Sequence, residues 1–116
     1  MLVSPRVQGF HAGMTTSNEP GYYEDGNFGI RIENLAITVV KDTPNNFQDK
    51  RYLGFETVTM SPIATNLIVV EQLNQNELKW LNEYHAKVRS LVLPVMKEHF
   101  PESVEYLIER TEPIGV

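Results

Sequence analysis

Glu19 and Glu33 stand fourteen residues apart, the first just before the turn-forming pair Pro20-Gly21, the second inside the β-forming run Phe28-Gly29-Ile30-Arg31-Ile32-Glu33-Asn34. Between them Asp25-Gly26 is a hairpin turn signal, and a turn there returns the second strand beside the first, so that both carboxylates face one pocket. Paired carboxylates suit hard divalent cations such as Mn²⁺ or Mg²⁺, which prefer oxygen donors. In a two-metal hydrolase one carboxylate commonly bridges ions ~3.5–4 Å apart while others ligate one ion each. Such a site needs more than two protein ligands. Plainer readings stand beside this one. A Glu before Pro-Gly is also a common solvated turn residue. Glu33 has Arg31 on its own strand face as an ion-pair partner, which would offset the cost of placing a carboxylate in an otherwise apolar strand.

Other residues capable of chemistry have structural explanations. His11 reads as an exposed loop residue. His85 lies on a helical segment beside an apolar stripe, where packing is the better explanation, and Trp80, Leu81 and Tyr84 read as helix core rather than a cofactor box. Tyr22 and Tyr23 fit either the mouth of a site or the packing of a hairpin.

The elements that must position these residues divide by periodicity. Gly13 to Ser17 reads as a strand, Tyr22 to Phe28 as a hairpin loop, and Phe28 to Val40 as one long strand, apolar on both faces and so expected to be covered on both. Lys41 to Lys50 is polar and carries Pro44 next to Asn45 and Asn46, the composition of a surface loop. Strand character returns at Tyr52 to Met60 and at Asn66 to Val70, with Pro62 between them because it cannot donate to a ladder. A polar joint at Glu71-Gln72-Leu73 precedes a change to helical period. Asn74 and Glu77 have the spacing of a capping box, and Leu81, Tyr84, Val88, Leu91, Val92 and Val95 mark one helix face. Pro94 is expected to kink or restart this helix, Phe100-Pro101 to end it, and Glu102 to Arg110 to form a last short helix with Val104, Leu107 and Ile108 on one side. The fold class is α+β.

Composition sets the outer bounds. A chain of 116 residues is the size of one domain, which would bury roughly 65% of the surface exposed by its unfolded form. A net charge of −5 and scattered basic residues oppose nucleic-acid binding. Zero cysteines exclude disulfides, thiolate zinc sites and thiol catalysis. The leader Met1 to Gln8 lacks the apolar core of a signal peptide, and no run approaches the ~20 apolar residues of a membrane span. A soluble, cytoplasmic product without membrane partners is expected.

Three separated stretches, in order, resemble the Xaa-Pro aminopeptidases, the aminopeptidase P branch of the pita-bread M24 metallopeptidases. The first is Ala12-Gly13-Met14, then Glu19-Pro20-Gly21-Tyr22-Tyr23, Asp25-Gly26 and Phe28 to Asn34. The second is Tyr52 to Ile63. The third combines Trp80-Leu81-Asn82-Glu83-Tyr84-His85 with Thr111-Glu112-Pro113-Ile114. The resemblance implies the C-terminal half of a pita-bread fold, a curved antiparallel sheet, at residues 12–70, and a helical C-terminal extension at residues 71–116. Residues 1–11 form an unplaced leader. It further implies hydrolysis of the N-terminal residue from peptides with proline in second position, and two Mn²⁺ ions in the complete site. Glu19 would ligate one ion and help move the proton of the bridging water, Glu33 would bridge both ions, and Arg31 would hold carboxylate geometry. The family's remaining ligands, two aspartates and a histidine, have no counterpart here, so the chain is expected to be inactive alone. The alternative is a non-catalytic interaction module, pairing with a second copy or with a full-length relative through its helical extension.

Overall fold

Gly26 turns the chain with φ of 70°, a left-handed conformation that glycine adopts at no steric cost, and Asn27 N–H closes the turn onto the Glu24 carbonyl at 3.0 Å. On either side of it the chain pairs with itself. This is seen in a computed structural model, which describes residues 9–115; eight of the eleven leader residues lie outside that range. Two compact units form, one ending at Thr59 and the other running from Met60, so the second begins well before the joint at Glu71-Gln72-Leu73.

The first unit holds five strands: β1 Thr15–Asn18, β2 Gly21–Glu24, β3 Phe28–Arg31, β4 Asn34–Lys41 and β5 Tyr52–Thr57. β2 and β3 form a two-stranded ribbon, while β1, β4 and β5 form an antiparallel sheet in that order. The expected loop at Tyr22 to Phe28 is therefore mostly strand, with only its tip turning. The expected single strand from Phe28 to Val40 is two strands in two sheets, interrupted at Ile32 and Glu33. Coverage is also uneven. Within β4, Ala36 and Thr38 are buried and Ile37 and Val39 half-buried, whereas all of β3 is exposed.

The second unit opens with single 3₁₀ turns at Thr65–Leu67 and Val70–Gln72. These replace the strand expected at Asn66 to Val70, because among the described residues no strand pairs with it and the backbone groups pair locally instead, as in Ile68 N–H to the Thr65 carbonyl. Helix α1, Gln75–His99, starts on the expected capping box. Asn74 Oδ1 accepts from the Asn76 and Glu77 amides at 2.9 and 3.0 Å, and the Glu77 carboxylate accepts from the Asn74 amide at 2.8 Å. The helix runs through Pro94 without restarting. Only one ladder bond is lost there, and Ser90, whose carbonyl would have accepted it, is exposed to water. After a 3₁₀ turn at Pro101–Ser103, α2 spans Val104–Arg110.

The buried stripe of α1 is Leu81, Tyr84, His85 and Val88. Tyr84, Val88 and Leu107 form the core, with Met60, Ile63, Val92, Leu93 and Met96 packed against it. Leu91 and Val95, expected on this face, are exposed: successive steps of four residues from Tyr84 lead through Val88 and Val92 to Met96 instead. Arg89 fastens the end of α2 by donating to the Thr111 hydroxyl at 2.8 Å, the Ile108 carbonyl at 2.7 Å and the Glu112 carboxylate at 2.9 Å.

His85 is fully buried. Its Nε2 accepts the Ile63 amide at 3.1 Å, so that nitrogen carries a lone pair and the ring is neutral. Burial above all lowers its pKa from the ordinary 6.5, opposed in part by the hydrogen bond with Ile63 and reinforced slightly by the Arg89 charge. Its contribution to stability is therefore complete above pH 6.5 and is lost as pH falls from 6.5 toward the lowered folded-state value. Urea unfolding between pH 8 and 5 should show this loss in the native chain. His85→Gln, which can still accept from Ile63 but does not titrate, should flatten that part of the profile; an unchanged profile would assign the pH dependence to other groups.

Candidate metal centre

β1 and β4 pair from Thr15 with Ile37 to Asn18 with Asn34. β2 and β3 pair from Gly21 with Arg31 to Glu24 with Phe28. Every one of these pairs is symmetric about Gly26, so the two ladders are one hairpin in a single register with no residue inserted. Between them stand Glu19, Pro20, Ile32 and Glu33. Ile32 N–H donates to the Pro20 carbonyl at 3.2 Å, but Pro20 has no N–H to return, and the ladder is interrupted there.

Continuing the register one step past Asn18 and Asn34 sets Glu19 opposite Glu33. Hydrogen-bonded pairs fall at Pro20 with Ile32 and at Met14 with Thr38, so by alternation Glu19 and Glu33 occupy the non-hydrogen-bonded type of pair, in which facing side chains come closest. Two carboxylates so placed repel each other. Arg31, on the same face of the ribbon, lies against both: Nη1 is 3.2 Å from Glu19 Oε2 and Nε is 3.6 Å from Glu33 Oε2. Ser17 donates its hydroxyl to the other Glu19 oxygen at 2.6 Å. All of these side chains are about half exposed or more open.

Two further residues share this face. Ser17, two positions before Glu19, was not anticipated from sequence, although its odd-numbered place in the register is the same as that of Glu19. Tyr23 folds its ring back over Gly21 and Gly29. A methyl carbon at Gly21 would come within 2.6 Å of the tyrosine hydroxyl, and one at Gly29 within 2.8 Å of the ring, so both glycines are needed to seat it. Tyr22 points to the opposite face, against Phe28 at 5.7 Å between ring centroids.

The carboxylates fit a hard divalent cation in donor type and in their convergence. In number they supply only part of a coordination shell: among the described residues, no group of three or more His, Cys, Asp or Glu gathers to hold a metal ion. His11 is exposed and lines a separate cavity of about 230 Å³ with Arg51 and the apolar Phe10, Val40 and Leu53. His85 belongs to the core of the second unit.

Comparison with known proteins shows the family of the chain. Residues 51–114 match the family model described as the C-terminal region of peptidase M24. Over 103 residues the chain is 53% identical to a probable Xaa-Pro aminopeptidase P of Laccaria bicolor, covering 89% of this chain and 16% of the relative. It is 43% identical to aminopeptidase P1 of Arabidopsis thaliana over 113 residues, covering 97% and 17%. The chain thus spans about a sixth of the length of the curated relatives it matches. The X-prolyl aminopeptidase of Caenorhabditis elegans, described as a cytosolic enzyme with a di-nuclear active site, superposes with a TM-score of 0.81 at 32% identity, covering 94% of this chain and 18% of that one. The α+β architecture is that of the C-terminal part of a pita-bread fold with its helical extension. By sequence and by fold, the chain belongs to the C-terminal region of the peptidase M24 family.

Proposed function

We propose that this chain supplies part of the metal centre of an Xaa-Pro aminopeptidase, acting in the cytoplasm on peptides with proline in second position. The observation that carries the reading is the convergence of Glu19 and Glu33 on the single guanidinium of Arg31. Glu19 and Glu33 would hold a pair of divalent cations, Mn²⁺ in this reading. When bound, such a pair acidifies water and polarises the scissile carbonyl. Within that centre Glu19 would also accept and return the proton of the attacking water, Glu33 would be the ligand shared by the two cations, and Arg31 would keep the carboxylates aligned. The cytoplasmic assignment follows the nematode relative, which is described as a cytosolic enzyme.

The 116-residue chain alone should not catalyse, because two carboxylates leave most positions around two cations unfilled. Titration with Mn²⁺ should give weak binding that Glu33→Ala removes, and Xaa-Pro peptides should survive at the no-enzyme rate. Metal-dependent hydrolysis lost in Glu33→Ala would overturn the expected inactivity.

Arg31 matters to alignment more than to stability. Both of its ion pairs join side chains that are nearly half exposed, 48% for Arg31 against 45% and 42% for the carboxylates, and exposed pairs contribute about 0–1 kcal/mol. Arg31→Gln should therefore cost less than about 1 kcal/mol in urea unfolding, and less again as added salt screens the charges. A loss of several kcal/mol would show that Arg31 is a fold-determining residue instead.

A second reading, a non-catalytic interaction module, is favoured by the exposed apolar side chains of the hairpin. Tyr22, Phe28, Ile30 and Ile32 are all open to solvent, between 40% and 58%, and alternation places them on the face opposite the carboxylates. Light scattering on the purified chain should detect dimers or larger species; a monodisperse monomer at micromolar concentration would remove self-association from this reading.

A further inference from the structure

We propose that Thr59 is a positioning residue for Glu33. The inference deepens the preceding reading and rests on Glu33 acting as a cation ligand. β4 and β5 pair regularly from Lys41 with Tyr52 to Ala36 with Thr57. The next pair would be Leu35 with Val58, and half of it forms: Val58 N–H donates to the Leu35 carbonyl at 2.9 Å. In place of the return bond, Leu35 N–H donates to the side-chain oxygen of Thr59 at 2.8 Å. A hydroxyl thus completes the ladder where the main chain of β5 leaves the sheet.

Leu35 lies two residues from Glu33, and in an extended strand the amides of residues two apart point to the same edge. The Thr59 bond is therefore a fastening on the β5 edge just beyond the carboxylate, while on the β1 side the strand is held by the bond from Ile32 to Pro20 before Glu33 and by the pairing of Asn34 with Asn18 after it. The interruption at Pro20 has already removed one ladder bond beside Glu33. Without the Thr59 oxygen, Leu35 would lose one of its two bonds on the β5 edge, and the hold on Glu33 opposite Glu19 would rest more heavily on the β1 side. Cation sites are sensitive to such drift, since ligands must converge within a fraction of an ångström. Among strand-forming residues, threonine combines the branched shape that suits extended backbone with an acceptor at this reach.

The test uses the isotopically labelled chain with Thr59→Val, nearly identical in shape but lacking the acceptor, and Thr59→Ser, which keeps it. Amide exchange of Leu35 and Mn²⁺ affinity are read in the same samples, with α1 amides as the control for folding. Thr59→Val should speed Leu35 exchange by about 10-fold, the equivalent of one hydrogen bond, and weaken Mn²⁺ binding by roughly 10-fold, the low end for residues that support a ligand, while Thr59→Ser restores both. Should Thr59→Val not fold, Thr59→Cys, whose sulfur is a weaker acceptor, should change both readouts in the same direction. Faster Leu35 exchange with unaltered Mn²⁺ affinity would reduce Thr59 to a sheet terminator and overturn the proposal. Absence of Glu33-dependent Mn²⁺ binding in the native chain would overturn the ligand assignment itself, and this inference with it.

Discussion

Two negative charges held face to face across a hairpin are the constraint around which the first unit is arranged. Unit charges about 4 Å apart repel by about 1 kcal/mol in water, and side chains as open as these stay near that solvent-screened limit. The ribbon tolerates the pair because the carboxylates remain partly solvated and because Arg31 shares its charge between them. Arg31 can do so only because it stands two residues from Glu33, on the same face, opposite Gly21. A one-residue slip would turn one carboxylate to the other face. The register centred on Gly26 therefore determines the site, and the turn determines the register.

The second unit is held by different means. A 25-residue helix carrying a proline, Gln75–His99, depends on its buried stripe and on its capped start more than on intrinsic propensity. Its main tertiary anchors are polar as well as apolar. Tyr84 donates its hydroxyl to the Ser61 carbonyl at 2.7 Å, and His85 accepts the Ile63 amide. Arg89 meanwhile holds the C-terminal end of α2 through Ile108 and Thr111. Buried histidine and threonine are thus built into a small core as hydrogen-bonding groups, which fixes the packing direction of α1 as a purely apolar stripe would not.

Much of this was legible in sequence where the causes are local. The capping box at Asn74 and Glu77, the turn at Asp25-Gly26 and the convergence of Glu19, Arg31 and Glu33 all depend on residue types at fixed short spacings. The break at Ile32-Glu33 was not legible from its own strand, because its cause is the missing donor of Pro20 on the opposite strand. The segment Asn66 to Val70 has strand composition but no strand partner, a fact that only tertiary structure supplies. Leu91 and Val95 fit a helical stripe as well as Leu93 and Met96 do; which set is buried is decided by where α2 lies. Ser17 and Tyr23 could have been found by counting outward from Gly26, since both have the same parity as Glu19.

The distribution of burial separates stability from site geometry. In the first unit the buried residues among those described are Ala36 and Thr38, both on β4, whereas the second unit buries Leu81, Tyr84, His85, Val88, Leu107 and Thr111. Packing therefore contributes little to holding the carboxylates. Their positions are set by ladder bonds, by one guanidinium and by the hydroxyls of Ser17 and Thr59, each worth about 1 kcal/mol. Interactions of that size barely change the free energy of folding, yet they decide whether two carboxylates converge or drift apart. Substitutions around Glu19 and Glu33 should consequently be felt in ligand affinity before they are felt in unfolding, the reverse of what substitutions in the α1 core would do.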